Sequence, residues 1–348
     1  MVKLLFGCAL LVVLPVVVSA VAMEMVTVAD PGNAPDPLNT NQVSNIGSVS
    51  YVYQIGKYEV DNAQYAEFLN SVAATDTYGL YNSVMASDVL GGINRLGSSG
   101  SYTYEVKPGY EFMPVNYVSF YDAARFANWM ANGQPSGPQG VGTTETGSYT
   151  LTGASIISAR QTNATWVIPN ENEWYKAAYY QPSGAGGPTD EYWLYPSQSD
   201  LIPNSRAENS FDPNSGNFYR NESPYGDGIN DGYAKLQTTT YYAGTNYLTE
   251  SGSYAAAASF YGTYDQAGNV MEWDETIVSG TSRGLRGGDW NNSESYLRSS
   301  NRHSLLAASH SPDIGFRVVL LIPEPSCFVT MLFALAGFCV RVLRRRRC

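Results

Sequence analysis

Between Cys8 and Cys327 the chain has no cysteine. That absence removes a disulfide framework, a thiolate nucleophile and a thiolate metal site from everything in between. Histidine is nearly as scarce. His303 and His310 are the only two, so a three-histidine metal centre is excluded and a serine triad has little choice of base. No G-x-S-x-G elbow, Walker-type loop or dinucleotide fingerprint occurs. Positive charge is also short: 20 Lys and Arg stand against 31 Asp and Glu, for a formal net charge of −11. Such a balance argues against nucleic acid and anionic membrane surfaces as partners, and suits solubility and cation binding.

Six of those basic residues lie near the ends, at Lys3, Arg341 and Arg344 to Arg347. Lys3 opens an apolar run over residues 4–18, and Ala20 and Ala22 form an A-x-A site. This is the three-part pattern of a signal peptide spanning residues 1–22. At the other end Pro323-Glu324-Pro325 precedes an apolar stretch over residues 326–340 and the arginine cluster. Residues 323–348 resemble the PEP-CTERM sorting tail of Gram-negative bacteria. The resemblance implies an exosortase-type protease as partner, an envelope or extracellular location, and a tail held transiently or permanently in the inner membrane.

What the interior has in abundance is tyrosine, 27 residues, with 33 glycines and many Ser, Asn and Thr, a loop-rich composition. YVYQIGKYEV, over residues 51–60, reads as strand. Three helix starts follow, each marked by a capping pair three residues apart: Asp61 with Gln64, Ser119 with Asp122, and Asn170 with Glu173. Apolar stripes follow them at helical spacing: Tyr65, Phe68, Leu69 and Val72, then Ala123, Phe126, Ala127 and Met130, then Trp174, Ala177 and Ala178. Residues 75–108, 133–164 and 181–214 read as turn-rich surface insertions. No fixed-period repeat and no composition shift divides the interior.

Five blocks carry a family resemblance: KYEVDNAQYAEFLN, MPVNYVSFYDAARFANWM, WVIPNENEWYKAAYY, GTYDQAGNVMEW, and RGLRGGDWNNSESYLRSSNR with SPDIGFR. In that order they resemble the formylglycine-generating enzyme, or sulfatase-modifying-factor, family over residues 47–320, with residues 23–46 as a lead-in. The resemblance implies an α+β, C-type-lectin-like fold with short twisted antiparallel sheets, a few short helices and long loops.

The same resemblance implies two structural calcium sites. One falls on Asp265, Gly268, Val270 and Glu272, in DQAGNVMEW. The other falls on Asn217, Phe218, Asp231 and Tyr233, in SGNFY and NDGY. Mixed carboxylate, amide and carbonyl oxygens are what calcium prefers. The family's oxidative chemistry needs two cysteines after a GGS segment, where they bind copper. Here Asn292 stands at the first position, the stretch 293–296 offers none at the second, Asp289 replaces the Ser, and Met271 replaces the first Trp of the usual WEW. A related branch uses iron held by three histidines, which this chain lacks. No copper or iron is therefore expected.

What is left at that position suits binding. Asp289, Asn292 and Arg298 are the groove candidates, while Arg286, Trp290, Arg302 and Arg317 are expected to hold the core. A His303–His310–Asp313 metal triad is the weaker alternative for the two histidines. Two function classes follow. One is an exported, calcium-stabilised, non-catalytic module binding an exopolysaccharide, a peptide or an envelope protein. The other is an oxidoreductase-like enzyme with a cysteine-free active site.

Overall fold

All three capping pairs close helix N-termini. In the helix Asn62–Val72, Asp61 Oδ1 accepts from Gln64 N at 2.7 Å and Gln64 Oε1 from Asp61 N at 3.1 Å. Ser119 and Asp122 exchange the same bonds at Phe120–Ala131, as do Asn170 and Glu173 at Glu171–Tyr179. Each cap satisfies two otherwise orphaned amides and stabilises its helix by about 1 kcal/mol. The apolar stripes then meet: Phe68 packs on Phe126 at 5.4 Å and Phe126 on Phe316 at 5.5 Å, both edge-to-face. Tyr65, Leu69, Ala123 and Ala127 complete this fully buried core.

The computed structural model describes residues 20–37, 45–220 and 232–322. One four-stranded antiparallel sheet joins both ends of that span, in the order Met25–Val28, Tyr53–Gly56, Val319–Leu321 and Trp166–Val167. Ile55 sits opposite both Val26 and Val319. The expected lead-in thus supplies an edge strand and belongs to the fold. A second four-stranded sheet runs His303–Leu306, Ser282–Arg286, Met271–Ser279 and Ile314–Gly315.

The last pair of that sheet is parallel, with Met271 opposite Ile314, as is the short pair Asn204–Ser205 with Ser215–Gly216. The other strand pairs are antiparallel, in line with the expected short antiparallel sheets. At the Met271–Ile314 pair, Gly315 permits the approach, since a Cβ there would lie 2.7 Å from the Val115 carbonyl oxygen and 2.9 Å from Val270 Cγ2. The expected surface insertion over residues 75–108 is ordered. It holds the one-turn helix Val84–Ser87 and the hairpin of Ile93–Leu96 with Thr103–Val106.

Among the described residues no helix is long and apolar enough to cross a membrane. Residues 1–19 of the expected signal peptide and the tail from 323 to 348 lie outside the described residues.

Candidate functional site

The GNVMEW block leads into the central strand Met271–Ser279, and its turn is shaped by two positive-φ positions, Gly268 at 102° and Asn269 at 64°. Gly268 is obligatory in size as well, because a Cβ would lie 2.1 Å from the Asn217 carbonyl oxygen. The two expected calcium loops therefore lie against each other. Asn269 N donates to Asn217 O at 2.7 Å, and Asn217 Nδ2 donates to Asn269 Oδ1 at 3.0 Å.

Glu272 is fully buried and paired bidentately with Arg317, at 2.5 and 2.6 Å, while Trp174 Nε1 donates to it at 2.7 Å. Arg317 also donates to the carbonyls of Gly56 and Tyr264. Two further carboxylates share this interior. Burial, opposed in part by a bond from Gly252 N at 2.5 Å, pushes Asp265 up to about 6. Burial and the charges of Asp265 and Glu272 push Glu59 well above the ordinary range, against bonds from Ser251 Oγ at 3.1 Å and Asn269 Nδ2 at 3.3 Å.

Three buried carboxyl groups thus face one guanidinium. Protons or a cation must balance the excess negative charge. Carboxylate oxygens suit a hard cation such as calcium, but both Glu272 oxygens are already engaged by Arg317 and Trp174. No group of three His, Cys, Asp or Glu side chains among the described residues is arranged to hold an ion unaided. Backbone oxygens would have to contribute, as the sequence pattern implies. Glu59 also lines a surface cavity of about 400 Å³ with Glu24, Asp61 and Glu250, an acidic approach to the cluster.

The second expected set is only partly described. Asn217 and Phe218 are buried, the Phe218 carbonyl accepts from Ser205 Oγ at 2.7 Å, and the Tyr233 carbonyl accepts from Leu236 N and Gln237 N. Asp231 lies outside the described residues.

The groove candidates sit in three different settings. Asp289 is fully buried, held there because Gly287 and Gly288, with φ of 99° and 68°, turn the chain inward beneath Leu297. Burial and the nearby Asp313 charge push its carboxyl up to about 8, and Oδ2 has no hydrogen-bond partner. Asn292 is half-buried, with its main chain tied to Asp289 O and Tyr219 N and its Oδ1 without a partner. Arg298 is exposed and leans over the Tyr195 ring at 5.8 Å.

The expected core arginines do hold the core. Arg286 pairs with Glu171 at 2.6 Å and donates to the carbonyls of Ser299 and Asn301, and Arg302 reaches Glu171 at 2.8 Å. The histidine triad is not formed: His303 stacks on Tyr296 and His310 bonds Asp122 Oδ2 at 3.2 Å.

Beside Asp289 lies a feature that residue spacing did not signal. Trp290, Tyr247 and Tyr241 form a continuous ring stack, at 4.8 Å and 11°, then 5.4 Å and 13°. Tyr233 packs against all three, and Tyr241 ends the stack 56 % exposed. The Trp290 Nε1 hydrogen is buried and has no acceptor. Glu59 was missed too. Its one sequence signal was its place in the KYEV block, directly before the first capping pair.

The family model for the sulfatase-modifying factor enzyme 1-like domain matches residues 24–322. The chain belongs to that family. Its fold is similar to the crystal structure of CarF, at 18 % identity and a TM-score of 0.57, covering 87 % of this chain and 99 % of that one. More distant likenesses are Treponema denticola variable protein 1, at 18 % identity, TM-score 0.48, and 87 % and 96 % coverage, and PvdO from Pseudomonas aeruginosa, at 17 %, 0.45, and 86 % and 95 %. No curated protein sequence matches the chain. At 18 % identity the likeness to CarF shows the fold alone. The match begins at residue 24, in keeping with the edge strand Met25–Val28.

Proposed function

We propose that the chain is an exported binding module of the sulfatase-modifying-factor family, stabilised by calcium and without the family's oxidative reaction. The observation that carries this reading is the Trp290–Tyr247–Tyr241 stack, which ends on an exposed ring beside the block where the resemblance would place copper-binding cysteines. Asn292 occupies the first of those positions, and no cysteine lies between Cys8 and Cys327 to replace it. A stacked, pre-ordered ring offers a flat apolar face at little entropic cost, the surface that sugar rings pack against. The acidic chain favours a neutral or cationic glycan over an anionic one. An exopolysaccharide is the ligand class this supports.

Calcium belongs to the same reading. Asp265 and Glu272 would help hold it with the carbonyls of Gly268 and Val270, and its charge would offset that of the neighbouring Glu59. Export through the signal peptide and an exosortase-processed tail gives the module its envelope location. The test is titration of the full-length chain with neutral oligosaccharides, comparing Tyr241→Ala. Binding weakened by ~10-fold or more in the variant, the scale of one lost stacking contact, supports the reading. Absence of saturable glycan binding, or binding indifferent to Tyr241, overturns it.

A further inference from the structure

Arg283 lies near the start of the strand Ser282–Arg286 and Asp289 beyond its other end, and a separate cavity of about 280 Å³ opens beside Arg283. Its floor is the buried rings of Phe120 and Tyr149, its sides are Ile157 and Ile277, and its polar wall is Arg160, Glu275 and Arg283.

The two arginines are in different states. Arg160 is saturated: it grips Glu173 at 2.8 and 2.9 Å and Glu275 at 3.1 Å. Glu275 is closed as well, since it also accepts the Tyr149 hydroxyl at 2.8 Å. Arg283 makes no ion pair among the described residues. Its guanidinium lies 4.6 Å from the Phe120 ring centroid, Nη1 donates to the Glu275 carbonyl, and Nε is buried without an acceptor. A half-buried cation whose buried Nε has no acceptor is stabilised when an acceptor arrives.

We propose that this cavity binds a small monocarboxylate with an apolar body. Arg283 takes the carboxylate through its fork of N–H donors, and Phe120, Ile157 and Ile277 cover the body. A single negative charge is what the wall can accept. Arg160 is already neutralised by two glutamates, and a dianion such as phosphate would meet the Glu275 carboxylate without a second free cation. Burial holds the Arg283 guanidinium below its ordinary value, and the negative charge of such a ligand offsets that effect.

The probe is benzoate, titrated by NMR into the full-length chain, with benzamide as its uncharged isostere. Benzoate should bind saturably and benzamide should not. Arg283→Gln should weaken benzoate ~10-fold or more, the scale of a charge-assisted bidentate pair. Ile277 is 60 % exposed, so Ile277→Asp should leave the fold intact and weaken benzoate comparably by placing a like charge at the rim. Tyr241→Ala should leave benzoate binding unchanged, which separates this site from the ring stack. The proposal is overturned by no saturable benzoate binding, by equal binding of benzamide, by phosphate binding more tightly than benzoate, or by full affinity in Ile277→Asp.

Discussion

Asn217 and Asn269 grip each other twice, through the Asn269 amide to the Asn217 carbonyl at 2.7 Å and through the Asn217 side-chain amide to Asn269 Oδ1 at 3.0 Å. Asn269 also receives the Thr249 amide at 3.2 Å and sits at φ 64°, a backbone region Asn tolerates better than most residues. Asn269→Ala would take the Oδ1 acceptor from one Asn217 side-chain N–H and from the Thr249 N–H, while keeping the strained backbone. The expected loss is ~3 kcal/mol, one or two buried unsatisfied groups, read as a lower urea midpoint at unchanged slope.

Asp289 gives a pH-dependent prediction whose sign follows from its raised folded value. A carboxyl at about 8 in the fold and near its ordinary value when unfolded stabilises fully below about pH 4 and loses that contribution as pH rises towards 8. Asp289→Asn keeps an oxygen to accept the Asn291 amide and removes the titration. At pH 7 the variant should be more stable than the parent by about 4 kcal/mol, with the difference vanishing near pH 4. Thermal melts across pH 4 to 8 read this directly, and parallel curves for the two proteins would contradict it.

Much of this molecule was legible because it is local. A capping pair needs only two side chains three residues apart, and all three appeared where Asp61, Ser119 and Asn170 announced them. The apolar stripes were legible for the same reason. The full burial of Asp289 was not legible from the two glycines before it. Its burial depends on which way those glycines bend the chain and on Leu297 lying above, neither of which spacing encodes. Glu59 escaped because its meaning arises only when residues 59, 265 and 272 meet in the fold. The ring stack joins Tyr241 and Tyr247 to Trp290, more than forty positions away, and belongs to tertiary packing alone.

Arg317 should be the most sensitive single position in the interior. It balances Glu272 at 2.5 and 2.6 Å and caps the carbonyls of Gly56 and Tyr264. Arg317→Met is expected to cost ~3–5 kcal/mol, the penalty of leaving buried carboxylates unpaired. Arg317→Lys should recover less than half of that, since an ammonium cannot reproduce the bidentate fork. A loss below ~1 kcal/mol for Arg317→Met, the scale of an exposed pair, would contradict the assigned role.

A chelator should lower the melting temperature of the parent chain, and added calcium should restore it, by mass action on the folded state. In Glu59→Gln the shift should shrink, because one of the three carboxylates that call for the ion is gone. A full-sized shift in that variant would remove Glu59 from the site.

Elemental analysis of the full-length chain, purified without chelators, tests the central claim most directly. The account predicts calcium at one or more equivalents per chain and no copper or iron above trace. Copper or iron near one equivalent, with calcium absent, would contradict it and restore an oxidative enzyme as the function of this fold.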